Sequence, residues 1–369
     1  MSPISASTSS STKSLITTRT LTDGGQQPLE IAHAVADFLG AARSSLDLAQ
    51  YDFNLLPETA TVVGDAIRAA AGRGVAVRIA YNLDHRLPIP VPPPSEPDAE
   101  LIASFGVPSK PIAGDPDLMH HKYVIRDGES VWTGSMNWTD DSWSRQENVV
   151  VTVGSPAIAA AYTRDFDELW DVGVIEQTGF VDPAPNEVDG HEVRAWFTPG
   201  HGEDLSHRIA KMIGRATRRV RICSPVITAA PVISTLAQKV SDGALDIAGC
   251  VDATQVEGVF HDWHENGNAR WKIPVFERVL EAPFSGKRST PYQARSVHDF
   301  MHAKVTVADD VVFVGSFNLS HRGEKNAENV LEIHDAELAE RLAQFVDEVR
   351  ARYPRFSTGE PGFPGEPLP

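Results

Sequence analysis

One set of polar residues occurs twice in this chain, and this repeat constrains the fold more than any other feature. The first copy reads MHHKYVIRDGESVWTGSMN over Met119–Asn137, and the second reads MHAKVTVADDVVFVGSFN over Met301–Asn318. With Gly134 aligned on Gly315, the match continues without a gap to a Glu-Asn pair in each half. Such a match predicts an internal duplication, in which each half of the chain folds into one copy of the same unit.

Secondary-structure patterns follow the same order in both halves. Segments with apolar residues at helical spacing, such as PLEIAHAVADFLGAARSS and DLSHRIAKMIGRAT, alternate with strand-like segments such as VAVRIAYN and ALDIAGCVD. This alternation predicts α/β domains whose largely parallel sheets are flanked by helices. After Asp252 the pattern gives way to a long stretch that we expect to be irregular.

The length of the chain favours two domains, because 369 residues are too many for one ordinary core. The Pro-, Asp- and Gly-rich segment VDPAPNEVDG marks the expected boundary. The predicted organisation is a flexible N-terminus at 1–18, a first domain at 19–180, a linker at 181–190, a second domain at 191–355 and a disordered tail at 356–369.

Composition narrows the class of protein. A formal net charge of −17 provides no general attraction to nucleic acids or to anionic membranes. The Ser/Thr-rich start does not resemble a signal peptide, and no apolar run approaches the roughly 18 residues of a membrane span. The sequence therefore predicts a soluble, cytoplasmic protein. Its two cysteines, Cys223 and Cys250, are expected to be buried free thiols.

The repeated polar residues are spaced so that they share a face. Successive side chains on a strand point to opposite faces, and residues two apart therefore project to the same side. His120 and Lys122 have this spacing, and so do Ser135 and Asn137 on the next predicted strand. The second copy repeats both pairs with His302, Lys304, Ser316 and Asn318.

These residue types suit a phosphate group. Lysine supplies positive charge, and serine and asparagine supply hydrogen bonds to phosphate oxygens. Histidine titrates near neutral pH and can act as nucleophile or as proton donor. Cleavage of a phosphodiester needs both actions on opposite sides of phosphorus. Two facing copies supply one histidine for each action and two lysines for the charge of the pentacoordinate state. The pattern predicts a catalytic site at the seam, with no cofactor.

Carboxylates in both copies divide into two groups. A nucleophilic imidazole needs a partner on its other nitrogen, and the duplicated Glu147 and Glu328 are the candidates for this role. Asp127 and Asp309 lie five positions after the lysines, which on a continuous strand directs them to the opposite face. We interpret these two aspartates as structural residues at turns.

Both copies resemble the HxKxxxxD…GSxN signature of the phospholipase D superfamily. The first is formed by His120, Lys122, Asp127, Gly134, Ser135 and Asn137, and the second by His302, Lys304, Asp309, Gly315, Ser316 and Asn318. The second copy has one residue fewer between its Asp and Gly. We interpret both glycines as structural.

With the duplication, the resemblance extends from about Pro28 to Tyr353. It implies two similar α/β sandwich domains, each a mixed β-sheet flanked by helices, that form a pseudo-dimer. It also implies a metal-independent reaction through a phosphohistidine, usually with the first-motif histidine, here His120, as nucleophile and His302 as acid. The residues themselves leave the order of the two histidines open.

Four further residues are candidates for substrate contact. Trp138 can stack on a base or lie against lipid, although we favour packing in the core or the cleft wall. Lys287, Arg288 and Arg295 precede the second motif and can contact an anionic substrate, although such charged runs are often solvated loops. The neighbour of His120, His121, points to the opposite face of a strand, so we expect a packed or surface residue and no metal site.

Two substrate classes remain open from the sequence. The first is a phospholipid, whose phosphodiester is hydrolysed or transferred to an alcohol during transient contact with a membrane surface. The alternative is a nuclease-like phosphodiesterase acting on DNA or RNA, against which the acidic composition argues. A non-catalytic phosphate-binding module is disfavoured because every motif position is intact in both copies. A monomer suffices, since one chain supplies both halves of the site.

Overall fold

The computed structural model describes residues 14–83, 97–114, 117–290 and 297–357. The strands are β1 (Ile16–Leu21), β2 (Ser45–Gln50), β3 (Phe53–Asn54), β4 (Ala76–Asn82), β5 (Ser109–Ile112), β6 (Lys122–Arg126), β7 (Ser130–Gly134), β8 (Trp138–Thr139), β9 (Asn148–Gly154), β10 (Asn186–Val188), β11 (His191–Phe197), β12 (Arg219–Cys223), β13 (Asp246–Asp252), β14 (Phe284–Lys287), β15 (Val305–Ala308), β16 (Val311–Gly315) and β17 (Asn329–His334). The helices are α1 (Pro28–Gly40), α2 (Pro57–Gly72), α3 (Ala99–Ser104), α4 (Asp140–Ser144), α5 (Pro156–Val172), α6 (Gly202–Arg215), α7 (Ala230–Asp242), α8 (Ala253–Glu265), α9 (Lys272–Val279), α10 (His321–Lys325) and α11 (Ala336–Arg352), with a 3₁₀ turn at Ile175–Gln177.

Two sheets with nearly the same strand order dominate the described part of the chain. The first has the order β1-β9-β7-β6-β2-β4-β5, and the second has the order β10-β11-β17-β16-β15-β12-β13-β14. Apart from the added β10, the second sheet repeats the first strand for strand. The short strands β3 and β8 form a separate parallel pair. The chain therefore contains two similar α/β units with mixed sheets.

The prediction of largely parallel sheets is wrong. Within the two large sheets of the described residues, only the β2-β4-β5 and β12-β13-β14 pairings are parallel, and the other neighbours are antiparallel. Parallel neighbours need a long crossover, which the intervening helices supply. The motif strands β6 and β7, and likewise β15 and β16, follow each other through tight turns, which makes them antiparallel hairpins.

Helices α5 and α11 contribute to a core that both sheets share. This core contains Tyr162 and Leu342 from the two helices together with strand residues such as Ile125 and Leu331. Separate apolar clusters lie on the outer faces, under α1 and α2 in the first unit and under α6, α7 and α9 in the second. The two motifs are thus held against each other by a continuous hydrophobic core rather than by a hinge. Both cysteines are buried free thiols in this core, as predicted.

Three predicted irregular segments contain regular structure. β1 begins at Ile16, inside the segment expected to be flexible, because it pairs along its length with β9. The expected linker contains β10, which forms a hairpin with β11 through Asp189 and Gly190, both at positive φ. The stretch after Asp252 forms α8, α9 and β14, and the buried Phe260 lies on the apolar face of α8.

The rest of the predicted terminal segments, residues 1–13 and 358–369, lies outside the described residues.

Candidate active site

Each motif lies against the Glu-Asn pair of the opposite half. The motif histidines precede β6 and β15 rather than lying within them, which corrects the predicted strand placement. The backbone at Met119 is bridged in parallel to Ala327, and the backbone at Met301 is bridged in parallel to Glu147. The catalytic candidates therefore meet at the seam between the two sheets.

His120 contacts a carboxylate from the other half. Its Nδ1 lies 2.7 Å from Oε2 of the fully buried Glu328, whose Oε1 accepts a hydrogen bond from the Asn326 amide at 3.3 Å. Burial raises the pKa of Glu328 to about 8, although Lys122 acts in the opposite direction. The ring of Tyr51 lies beside the imidazole, with centroids 4.5 Å apart. Glu328 is thus placed to fix the orientation of the His120 ring.

His302 contacts an amide instead. Its Nδ1 lies 3.1 Å from Oδ1 of Asn148, the residue that follows Glu147. The bridge positions explain this difference. The first motif is bridged at Met119 to Ala327, the residue before Glu328, whereas the second motif is bridged at Met301 to Glu147 itself. A shift of one residue in pairing changes which side chain faces the partner strand. The prediction that Glu147 orients a histidine is therefore wrong.

Glu147 takes part in a buried ionic cluster. Its Oε2 lies 3.0 Å from Nζ of Lys287, and its Oε1 accepts hydrogen bonds from the Asp23 amide and the Tyr353 hydroxyl. Lys287 is 2% exposed and forms a second ion pair with Asp23 at 3.1 Å. This placement corrects the prediction that Lys287 contacts substrate. The cluster instead connects the N-terminal segment, β14 and the end of α11.

The two motif lysines lie close to the histidines. Nζ of Lys122 and Nζ of Lys304 each donate to the carbonyl of the histidine two residues earlier, both at 2.8 Å. Burial lowers the pKa of Lys122 to about 7, although Glu328 and Asp52 act in the opposite direction. Burial and then the charge of Lys122 lower the pKa of Lys304. The charge of Lys122 thus acts on Lys304 across the seam.

Burial also controls the charge of the histidines. It lowers the pKa of His120 well below the usual value, and Lys122 and Lys304 act in the same direction. The pKa of His302 is lowered by burial, then by Lys304 and Lys122, and further by His120. Both imidazoles are therefore neutral near pH 7 in the free protein, and a neutral ring has the lone pair that a nucleophile needs.

The motif serines have a structural placement that the sequence did not predict. Ser135 and Ser316 are fully buried, and their hydroxyls accept the backbone amides of Val149 and Asn329, each at 3.0 Å. They take the place of ladder hydrogen bonds just beyond the ends of β7 and β16. This corrects the expectation that both hydroxyls face a phosphate.

The motif asparagines differ from the serines. The Oδ1 atoms of Asn137 and Asn318 are both buried without a hydrogen-bond partner among the described residues. An unpaired buried amide oxygen is costly, and its occurrence at the same position of both copies points to a ligand. Because the amide group can turn over, it can present either NH₂ or oxygen to that ligand.

The motif aspartates and glycines shape the backbone. Asp127 and Asp309 occupy turns at φ 59° and 53°, and their carboxylates accept hydrogen bonds from backbone amides just before and at the start of β2 and β12. A Cβ on Gly134 would lie 2.1 Å from the Val149 carbonyl oxygen, and one on Gly315 would lie 2.0 Å from the corresponding oxygen of β17. The close approach of neighbouring strands therefore requires glycine at both positions.

The remaining candidates for substrate contact lie away from the motif histidines or outside the described residues. Trp138 is 1% exposed and packs against Phe53 with ring centroids 5.0 Å apart, which agrees with the favoured core packing and not with the alternative of substrate contact. Arg288 forms an ion pair with Glu257 at 2.7 Å on the surface. Arg295 lies outside the described residues.

Two positioning residues were not anticipated from the sequence. The Asn82 side chain accepts the Met119 amide at 2.9 Å, and the Asp252 side chain accepts the Met301 amide at 3.2 Å. They end the equivalent strands β4 and β13, so that each fixes the backbone immediately before a motif histidine. The sequence feature that could have indicated these two residues is a polar side chain at the end of an equivalent strand in each half.

Among the described residues, one group of carboxylates and imidazole is close enough to bind a metal ion, namely Glu192, Glu332 and His334. The Glu332 carboxylate is already neutralised by Arg208, with nitrogen–oxygen distances of 2.5–3.1 Å. This group does not include any motif residue, and the charge of its buried Glu332 is balanced by the ion pair with Arg208.

The family of the chain follows from a comparison with known domains. Residues 35–170 and 209–350 both match the family described as cardiolipin synthase, PLD-like domain. The two matches cover most of the chain and contain one motif copy each. The protein therefore belongs to this family of the phospholipase D superfamily.

Relatives of established name cover part of the chain. A mitochondrial cardiolipin hydrolase of Chlamydomonas reinhardtii is 29% identical over 136 residues, which is 37% of this chain and 56% of that protein. The human protein of the same name is 29% identical over 132 residues, which is 36% of this chain and 47% of that protein. The chain spans about half the length of these curated relatives.

A solved phosphatidylserine synthase of Haemophilus influenzae shares the fold. It matches with a TM-score of 0.63 over 91% of this chain and 86% of that one, at 14% identity. In the described part of this chain, none of the helices combines the length and apolar character that a membrane crossing requires.

Proposed function

We propose that this protein is a phosphodiesterase of phospholipase D type that cleaves a phospholipid through a phosphohistidine intermediate. The observation that carries the proposal is a pair of buried motif histidines at one seam, each contacted at Nδ1 by a side chain from the opposite half. The motifs also contain two buried lysines and two asparagines whose Oδ1 atoms have no hydrogen-bond partner among the described residues. This set of groups suits a tetrahedral anion that both histidines can contact.

In the first step, Nε2 of His120 attacks phosphorus and forms the P–N bond. Glu328, in its ionised form, accepts a hydrogen bond from Nδ1–H and stabilises the positive charge that develops on the ring. The bond from phosphorus to the leaving alcohol oxygen breaks, and His302 donates a proton to that oxygen. A bound phosphodiester brings negative charge beside His302, which raises its pKa and favours the protonated form.

In the second step, the roles of the proton carriers reverse. The now neutral His302 takes a proton from a water molecule or a small alcohol, whose oxygen attacks phosphorus. The P–N bond breaks and its electron pair returns to His120. Lys122 and Lys304 stabilise the added charge of both pentacoordinate states, and Asn137 and Asn318 contribute hydrogen bonds. The reaction is therefore balanced without a metal ion.

The choice of phospholipid as substrate rests on two further observations. The curated relatives are named cardiolipin hydrolases, and the matched family is named for cardiolipin synthase. The net charge of −17 opposes the non-specific attraction to phosphate backbones on which most nucleic-acid enzymes depend. The nuclease alternative is therefore the less favoured reading of the same site.

A comparison of substrates tests the proposal. Protein treated with EDTA is incubated separately with vesicles of phosphatidylcholine, vesicles containing cardiolipin, and single-stranded DNA, with His120→Ala as the control. We expect EDTA-resistant release of a lipid product that the His120→Ala variant does not form. Cleavage of DNA without lipid turnover would establish the nuclease alternative, and loss of activity in EDTA would contradict the metal-independent mechanism.

A further inference from the structure

A second buried histidine lies directly behind the first motif. His121 is fully buried, and its Nε2 lies 3.3 Å from Oδ2 of Asp165 on α5, a contact without hydrogen-bond geometry. The same carboxylate oxygen accepts the Tyr123 hydroxyl at 2.8 Å. Burial lowers the pKa of His121 and raises the pKa of Asp165, so neither group favours its charged form. The mechanism above uses none of these residues.

This cluster forms a hydrogen bond to the opposite half. Nδ1 of His121 accepts the amide Nδ2 of Asn329 at 3.2 Å. The Oδ1 atom of Asn329 accepts hydroxyls from Thr133 at 2.5 Å and from Tyr162 at 3.0 Å. Three side chains of the first half thus hold an asparagine of the second half. We call these four residues the asparagine clamp.

The clamp has a consequence for the residue before Asn329. Consecutive side chains on extended backbone point to opposite sides. With Asn329 held towards His121, the preceding residue, Glu328, is directed towards His120, which it contacts at 2.7 Å. The clamp therefore determines which of two neighbouring side chains meets the motif histidine.

The second half lacks the corresponding residues. Its counterpart of His121 is Ala303, and its counterpart of Tyr123 is Val305. Asn148, the counterpart of Asn329, bonds within its own half to Ser135 and Ser142 and reaches His302 with its Oδ1. Where no histidine holds the asparagine, the asparagine itself faces the motif histidine.

We propose that His121, supported by Asp165, is a positioning residue that holds Asn329 away from the site and thereby makes Glu328 the partner of His120. This inference rests on the proposed function, because its consequence is that His120 and not His302 receives the carboxylate that a nucleophile needs. His121 acts through Asn329 and Glu328 and does not touch the substrate.

The His121→Ala variant tests the proposal, because it gives the first motif the alanine that the second motif has at position 303. We expect kcat for a p-nitrophenyl phosphodiester to fall about 10–100-fold, as for other residues that act through a catalytic ligand or base. We expect KM to change less than about twofold. The His121→Gln variant, which keeps an acceptor for the Asn329 amide, should recover most of kcat.

Asp165→Asn should lower kcat in the same direction as His121→Ala. Asp47→Asn is the matched control, because Asp47 is a buried carboxylate paired with Arg78 at 2.7 Å and lies outside both motifs. It should leave kcat unchanged. Equal loss of kcat in Asp47→Asn and Asp165→Asn, or no recovery in His121→Gln, would overturn the proposal.

A spectroscopic readout separates this inference from the proposed function. In ¹⁵N NMR of the free protein, we expect His120 to carry its proton on Nδ1 in the wild type and to lose this preference in His121→Ala. An unchanged His120 tautomer in the folded variant overturns the role of His121 whatever the activity. Absence of phosphodiester turnover in the wild type would instead overturn the proposed function, while the tautomer would still test the clamp.

Discussion

The two half-sites differ at the partner of the histidine. His120 contacts a carboxylate, whereas His302 contacts an amide, although the two halves have the same strand order and the same motif. A carboxylate can stabilise an imidazolium, and an amide stabilises it much less. A duplicated unit can therefore give its two motif histidines different partners through a one-residue difference in pairing, while the His, Lys, Ser and Asn positions of the motif stay the same.

Glu147, the counterpart of Glu328, has a different set of partners. Glu328 lies at the site, while Glu147 lies in an ion pair with Lys287 and in contact with Asp23 and Tyr353. The comparison predicts that Glu328 affects the rate of the reaction, whereas Glu147 affects the stability of the fold.

The largest expected effect comes from removing either histidine. Because the proposed mechanism uses the two rings as one unit, His120→Ala and His302→Ala should each lower kcat/KM for a phospholipid at least about 10⁴-fold. Steady-state rates on vesicles, with circular dichroism to verify folding, provide the measurement. A mild loss in either variant would show that the two rings do not share one phosphorus.

The next effect separates the two glutamates. Glu328→Gln should lower kcat about 10²–10⁴-fold, because the ring loses the carboxylate that sets its tautomer. Glu147→Gln should keep kcat within about threefold and lower the free energy of unfolding by about 1–3 kcal/mol, since the buried Lys287 loses one of its two carboxylate partners. Kinetics and urea unfolding of both variants measure the contrast. Equal loss of kcat in the two would contradict the assigned difference.

A smaller and symmetric effect is expected for the asparagines. Asn137→Ala and Asn318→Ala should each lower kcat about 10–100-fold, because each removes one hydrogen bond to the charged transition state. Single-turnover kinetics of the two variants measure the loss. A hundredfold difference between them would indicate that the asymmetry of the histidine partners extends to the whole site.

The smallest expected effect is a displacement of the pH profile. His120 is neutral above its lowered pKa, and Lys122 is charged below its pKa of about 7. The value of kcat/KM should therefore fall as pH rises through about 7. Because Glu328 raises the pKa of Lys122, Glu328→Gln should move this descending limb to lower pH, and Glu147→Gln should leave it in place. A limb that moves in neither variant, or equally in both, would contradict this assignment.

The doubled motif made much of the fold and the site predictable. The equal spacing of His120 with Lys122 and of His302 with Lys304 indicated two similar units that meet at one site. The seam contacts were not predictable, because they depend on pairing between segments far apart in the sequence. Nothing local to Glu147 or Asn148 reveals which of them faces His302.

Other differences have local causes that the pattern concealed. The spacing of Ser135 and Asn137 suggested one shared face, yet the chain leaves the strand at Gly134, so that the serine bonds to the neighbouring strand. The sequence around Lys287 suggested a surface cation, because its partners, Asp23 and Glu147, are distant in sequence. Burial of a charge depends on such partners, which composition does not show.

The most direct test of the account uses a substrate whose leaving group needs no acid. With a p-nitrophenyl phosphodiester, the His302→Ala variant should release about one equivalent of nitrophenol per site in a burst, because attack by His120 proceeds while hydrolysis is slowed. Mass spectrometry of the quenched protein should then locate the phosphoryl adduct on His120, and His120→Ala should give neither burst nor adduct. An adduct on residue His302 of the His120→Ala variant, or a burst with no protein-bound phosphorus, would contradict the account.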